Sequence, residues 1–487
     1  MKQEKIEVPS SAKSVAVGTA WAAIDNWTQQ GIQIVAFVVI GNIIGPEVYG
    51  VMAIGFVYML LVNSFIKETF GEAIIQRKDA HRGHFEAAFW VVFGLGVVAA
   101  IASFIGAPYV AAVFEDPRLV PVITMLGLVF PVTGTANILQ SKLRRDLDFR
   151  SLAIRSIIAY GASSAVAIYL ALDGYGIWSL IVFQLLIPVL DFLCLAIQGR
   201  WLPRIRFSRD DFSDIADFSY KTMGSQIIGT FAMQIDRLLV GYFIGPVALG
   251  LYGMARRIVD AIQRTILGVI NTVALPAFSK LQDDKEQLCK AVTNASHFAS
   301  LVAFPAFAGL ALVSNWLIVL LLKPEWQSVG AMLPILCFGG FTMSAGLFLT
   351  TVKRAVGRAG LVMKLAILTV FLRLGVCAAA IYYGYGVFGV IVTTTALTYL
   401  LMPLRLILVK RLIDLKIWEY CKSVIPATVA TLFMSACVYG VQVAVADEVP
   451  VAAALMAMIV TGAVSYVAAL LLVARSSLML IMATVKR

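Results

Sequence analysis

The chain reads as long apolar runs separated by short polar gaps, the pattern of helices that cross a hydrocarbon core with about 20 residues each. About fourteen such helices are predicted, with approximate limits 14–41, 47–67, 85–112, 119–140, 151–172, 176–199, 217–243, 247–277, 293–322, 329–352, 359–383, 386–409, 420–445 and 450–474. The gaps alternate between very short and moderately long. Lys2, Lys5 and Lys13 precede the first run, as in a secretory leader, but a leader's apolar region is only about 7–15 residues long. This run also holds Asp25, Asn26, Gln29 and Gln30 midway. It is read as a retained first helix with a polar inner face.

Composition removes the soluble alternatives. Of the 487 residues, 60% are hydrophobic and 14% charged, whereas a soluble domain carries about 25% charged residues. With the N-terminus in the cytoplasm, about 32 of the 39 Lys and Arg residues fall in cytoplasmic segments or at their edges, the bias that orients membrane proteins. Arg118 and Lys323 fall outside, and Arg237, Arg256, Arg257, Arg264 and Arg373 lie within spans. The outer gaps lean acidic, with Glu47, Glu115, Asp116, Asp173, Glu325, Asp447 and Glu448. The net charge of +11 is thus a topology signal for a multi-pass protein with both ends of the chain cytoplasmic, and no nucleic-acid partner is implied. Arg144, Arg145, Arg150, Arg204, Arg206 and Arg209 are expected to face anionic membrane lipid on the inner side.

An internal repeat organises the runs. Residues 41–50 read GNIIGPEVYG and residues 241–250 read GYFIGPVALG. Both sit at the predicted outer turn, between spans one and two and between spans seven and eight. A second echo, SKLRRDLDFRSLAI from Ser141 and TVKRAVGRAGLVMKLAI from Thr351, follows spans four and ten. Six crossings return a chain to the same side, so two parallel six-helix repeats are expected, with a binding site between them. The expected division is 1–210 for the first lobe, 211–412 for the second, and 413–487 for two additional helices outside the repeat.

Charges inside the spans carry the candidate chemistry, because each is costly to insert and needs a partner or a water-filled cavity. Helix eight reads LYGMARRIVDAIQRTILG, in which Arg256, Arg257, Asp260 and Arg264 are helical neighbours. Arg373 stands near the middle of helix eleven, Asp25 near the middle of helix one, and Asp236-Arg237 toward the outer end of helix seven. These charges either cancel one another, Asp236 against Arg256 and Asp260 between its neighbours, or they leave a surplus for an anionic ligand. Arg237, Arg256, Arg257, Arg264 and Arg373 outnumber Asp25, Asp236 and Asp260 by two. Guanidinium groups match phosphate oxygens, so Arg256, Arg257, Arg264 and Arg373 are the candidate phosphate or pyrophosphate ligands. Asp25, Asp236, Arg237 and Asp260 are their candidate partners or ion-coupling groups.

Other features discriminate less. Glu68 and Glu72 read as an inner gate or, more simply, as a solvated helix end. His81, His84 and His297 lie in or beside predicted cytoplasmic loops and are expected to be solvated. Trp178 and Trp326 on the outer side, and Trp201 and Trp418 on the inner side, read as interfacial anchors. The six scattered cysteines form no C-x-x-C pair, and no metal site, catalytic constellation or cofactor motif is present.

The stretch LPRIRFSRDDFSDIADFSYKTMGSQIIGTFAMQIDRLLVGYFIGPVALGLYGMARRIV from Leu202 resembles the bacterial polysaccharide exporters. These belong to the multidrug/oligosaccharidyl-lipid/polysaccharide (MOP) flippase superfamily. The turn IGPEVYG and the loop LRRDLDFRSLAI extend the resemblance over essentially the whole chain. It implies an all-α membrane protein with two six-helix lobes in a V plus two extra helices, working by alternating access in the bacterial inner membrane. The implied substrate is an oligosaccharide on a polyprenyl pyrophosphate, met by Arg256, Arg257 and Arg373, with polysaccharide-pathway enzymes as partners. The resemblance also implies H+ or Na+ coupling, with Asp25 as the candidate residue; the short outer gaps and the lack of an acid–base or metal constellation argue separately against an enzyme. The alternative on the same fold is an ion-coupled small-molecule or multidrug extruder.

Overall fold

The computed structural model describes residues 12–66, 81–145, 148–199, 203–204, 227–445 and 449–473. Glu68, Glu72, Trp201 and most of the lead-in from Leu202 to Met223 lie outside the described residues. Among the described residues the protein is helical throughout. In chain order the helices are α1 (Ala12–Ile66), α2 (Arg82–Val113), α3 (Leu119–Gly127), α4 (Phe130–Arg145), α5 (Phe149–Leu172), α6 (Ile177–Gly199), α7 (227–243) and α8 (Pro246–Lys280). Then come α9 (Lys285–Leu321), α10 (Gln327–Ala355), α11 (Ala359–Tyr382), α12 (Gly386–Ile413), α13 (Ile417–Val445) and α14 (Val451–Val473). Eleven spans among the described residues are long and apolar enough to cross a membrane. The first joins two predicted runs at a kink, and α3 and α4 together make one. α7 and α8, which carry the charges, complete the expected set. The chain is an all-α multi-pass membrane protein.

Side chains sort as a bilayer demands. Large apolar residues such as Phe104, Leu172, Leu400 and Leu472 are exposed, on surfaces that lipid would cover. The chain divides into two compact units, the first holding residues 1–43 and 58–227, the second 44–57 and 228–487. In the first, Phe85, Phe89, Phe130, Leu139, Leu152 and Leu195 build a core from α2, α4, α5 and α6. In the second, the last two helices pack on α9, setting Ala427, Ala430, Met434 and Met458 against Leu301 and Phe304. Tyr466 there donates its hydroxyl to the Leu301 carbonyl at 2.6 Å.

The repeated Gly-Pro motif has a structural reason in both copies. Gly45 and Gly245 hold φ of 80° and 108°, a region that glycine enters without steric cost. Each is followed by a proline opening the next helical segment, where the missing N–H costs nothing. Pro46 thereby breaks α1 into two runs, and Pro246 starts α8. One turn on, Gly50 and Gly250 bring the two segments, both in the second unit, into backbone contact. A Cβ on Gly50 would fall 1.8 Å from the Pro246 carbonyl oxygen, and one on Gly250 1.9 Å from that of Pro46. The two copies therefore cross reciprocally, each using its final glycine to admit the other's proline.

Two surface expectations are corrected here. Trp326 is fully buried, edge-on to Tyr49 at 5.5 Å, because the turn before α10 folds over the second segment of α1. His84 is 2% exposed and caps the start of α2 through its Nδ1, which accepts from the His81 N–H. His297 lies inside α9, its ring in hydrogen-bond contact with the Ser423 carbonyl. These histidines serve helix ends and helix packing.

Candidate functional site

The second unit gathers the predicted cations on α7, α8 and α11. On α8, Tyr252, Arg256 and Asp260 recur every four residues and share one face. Asp260 is the hinge of the cluster. Its two carboxylate oxygens meet Arg256 Nε at 3.1 Å and Arg237 Nη2, from α7, at 3.0 Å. Arg237 also donates through Nη1 to Gln234 at 2.9 Å. Asp236, 1% exposed, accepts from the Tyr252 hydroxyl. Arg256 pairs directly with Asp260 and also acts on Asp236, so one arginine serves both of the carboxylates that the sequence set beside it. The other oxygen of Asp236 has no hydrogen-bond partner among the described residues. From α11, Arg373 donates through Nη1 to the Ala232 carbonyl at 3.2 Å, and its buried Nε lacks a partner among the described residues. Arg257, one position round the helix, lies over the Phe56 ring at 4.8 Å, a cation–π contact. Arg264 is exposed and makes no ion pair among the described residues.

Arg237, Arg256, Arg257 and Arg373 thus share Asp236 and Asp260: four cations against two carboxylates. That surplus of two sits in one unit. An unpaired buried charge is expensive, and guanidinium donors left over are the natural ligands of a phosphate.

Asp25 lies in the first unit with residues that the cation count does not pick out. Arg155, 3% exposed, reaches Asp25 through Nη2 at 3.4 Å and Asp191 through Nε at 3.4 Å. Ser156 donates to Asp25, and Gln29 donates to it at 2.8 Å. Gln140, with its amide oxygen turned inward, accepts from Arg155 at 3.1 Å. Here one cation faces two carboxylates, the reverse balance. Arg155 was assigned to a cytoplasmic edge because it stands just inside α5; the fold buries it. Asp191, alone in the apolar run IPVLDFLCLAI, is marked by the same insertion-cost rule that picks out Asp25, and a census of Lys and Arg passes over it.

A chain of membrane-crossing helices with buried, oppositely biased charge clusters is built as a transporter. Its backbone matches the lipid II flippase MurJ in an inward closed conformation with a TM-score of 0.73, over 94% of this chain and 99% of that one, at 13% identity. The protein belongs to the polysaccharide biosynthesis protein family, whose sequence profile matches residues 39–331. Among curated relatives it is 25% identical to the teichuronic acid biosynthesis protein TuaB of Bacillus subtilis (strain 168), over 68% of this chain and 69% of that one. It is 25% identical to the lipopolysaccharide biosynthesis protein WzxC of Escherichia coli (strain K12), over 79% and 80% respectively.

Proposed function

We propose that this protein moves a polyprenyl-pyrophosphate-linked oligosaccharide across the bacterial inner membrane for surface polysaccharide synthesis, and that it is no enzyme. The observation that carries the reading is the two-charge surplus of buried arginines in the second unit. A pyrophosphate would answer the positive surplus of the group and meet the unpartnered Nε of Arg373, while Asp260 keeps Arg237 and Arg256 in place. Family membership and the names of its relatives support a saccharide pathway. The Lys and Arg census supports cytoplasmic ends, and alternating access follows from a lipid-linked head that must face each side in turn.

Asp25, Arg155 and Asp191 are the proposed ion-coupling group. Their single negative surplus suits a proton or Na+ arriving at the first unit, and Arg155 then swings between the carboxylates as one is neutralised. The same cluster is what a cation extruder would use, so the small-molecule reading stands as the alternative. It is the weaker one, because the larger surplus, in the second unit, is positive.

The test is the pool of polyprenyl-linked oligosaccharide in cells lacking the protein, measured beside surface polysaccharide. The lipid-linked repeat unit is expected to accumulate as surface glycan disappears, with wild type restoring both and R256Q/R257Q restoring neither. Unchanged pools with a rise in sensitivity to toxic compounds would move the assignment to the extruder.

A further inference from the structure

Away from the arginine cluster, the second unit buries two more cations. Lys353, in the last turn of α10, is 2% exposed. Arg405, on α12, is partly buried, its Nη1 lying 3.9 Å from the position a Cβ would take on Gly346 of α10. Gly346 precedes Lys353 by seven residues, two turns along the same face. Side chains on a helix lean toward its N-terminus, so the Lys353 stem runs up α10 toward Arg405. Neither side chain has a hydrogen bond or ion pair among the described residues. None is on offer nearby in sequence, since α10, α11 and α12 contain no Asp or Glu between them. The charges that act on the pair are themselves cations, Arg405 on Lys353 and Arg373 on Arg405.

The depths form a series. Trp326 packs on Tyr49, so α10 begins at the end of the unit where α8 begins. From that end, Arg256 and Arg373 lie about 15 Å down their helices, Arg405 about 28 Å and Lys353 about 39 Å at 1.5 Å per residue. A helix C-terminus favours a cation, which accounts for a lysine near Ala355 but not for its burial with no ion pair among the described residues.

We infer that Lys353 and Arg405 form a second anion station in this unit, one that takes the phosphate group of a lipid head at the end opposite the Gly-Pro turns. The inference rests on the reading of the protein as a carrier of phosphate-bearing lipid, and it adds a place where that head is held before or after it meets Arg373 and Arg256. A phosphate can reach the station on the transported lipid or on a resident phospholipid. The chemistry of capture is the same.

The test uses the full chain purified in dodecyl maltoside, which has no phosphate, titrated with inorganic pyrophosphate and followed by thermal unfolding. A parallel arm counts phosphatidylglycerol adducts by native mass spectrometry. K353M/R405Q is expected to lose about tenfold or more in pyrophosphate affinity, the scale of charge-assisted hydrogen bonds, and to melt no lower than wild type without ligand. K353R should retain binding, and R405Q alone carries the test if the double variant does not fold. Loss of pyrophosphate binding supports a station for the transported head. Loss of phosphatidylglycerol adducts alone supports the same station with a resident phospholipid. Wild-type behaviour of K353M/R405Q toward both probes, or no binding of either to wild type, overturns the inference. If R256Q/R373Q keeps a pyrophosphate response that K353M/R405Q lacks, the station stands and the role given to the arginine cluster falls.

Discussion

The two units bury charge in opposite proportion. In the first, Arg155 stands between Asp25 and Asp191, and Ser156 and Gln29 turn their donors onto Asp25. In the second, four arginines share Asp236 and Asp260, and a donor of Arg373 is left over. The difference is one of completeness. A carboxylate surrounded by hydroxyl, amide and guanidinium donors is stable as it stands and needs only a small cation or proton to change state. In the second unit, Asp236 and Asp260 answer only part of the guanidinium charge on α7, α8 and α11, and the group remains open to an anion from outside.

The largest effect should come from reversing the second cluster. R256E/R257E is expected to abolish accumulation of surface glycan, with a loss of roughly hundredfold or more in transport, since truncating one buried charge partner alone costs about 2–5 kcal/mol. Retained transport in vesicles would remove the anion role. Next is R155M, which strands two buried carboxylates and should cost about 3–5 kcal/mol in stability, read by thermal unfolding in detergent. R373M leaves Asp236 with Arg256, Arg237 and the Tyr252 hydroxyl still acting on it and should cost less than R155M; equal losses for the two would erase the contrast between the units. Adding D25N to R155M should restore part of the stability.

Smaller effects test the frame around the clusters. G50A and G250A each force a Cβ into a carbonyl of the facing segment and should each cost about 1–3 kcal/mol or more, the price of overpacking. Unequal losses would argue against a reciprocal crossing. The smallest effect lies outside the spans, at Asp116. Partial burial raises its pKa, but the hydrogen bonds and charge of Arg118 outweigh that and hold the carboxyl below its ordinary value. The resulting stability is present above the unfolded pKa of about 3.9 and lost as pH falls through the folded one. Wild type should therefore exceed D116N by no more than about 1 kcal/mol near pH 6, and the gap should close below about pH 4.

Much of this was legible in order. The apolar runs predicted the helices because a bilayer leaves a spanning backbone few other ways to satisfy its hydrogen bonds. The repeated G-x-x-I-G-P-x-x-x-G pattern marked the two turns that the structure bends with positive φ. Arg256 and Asp260 were neighbours by helical spacing, and they pair. Arg155 and Lys353 were hidden by their position at the ends of runs, where a basic residue ordinarily reaches water. Only packing tells a buried helix end from a solvated one. Trp326 misled for the same reason, its place in an outer gap giving no sign that a turn would fold it onto Tyr49.

The sequence by itself determined the class of protein, the family and the excess of cations in its second half. These depend on length, hydropathy and local spacing, quantities carried by neighbouring residues. The tertiary structure decided which charges meet. Asp25 and Arg155 are 130 positions apart, and Arg237 reaches Asp260 from another helix. Such pairs depend on how each helix is rotated about its axis and on where its end stops relative to the next. Helix rotation is set by the packing of many apolar contacts at once, and so a carboxylate's partner is fixed only when the whole unit has closed around it.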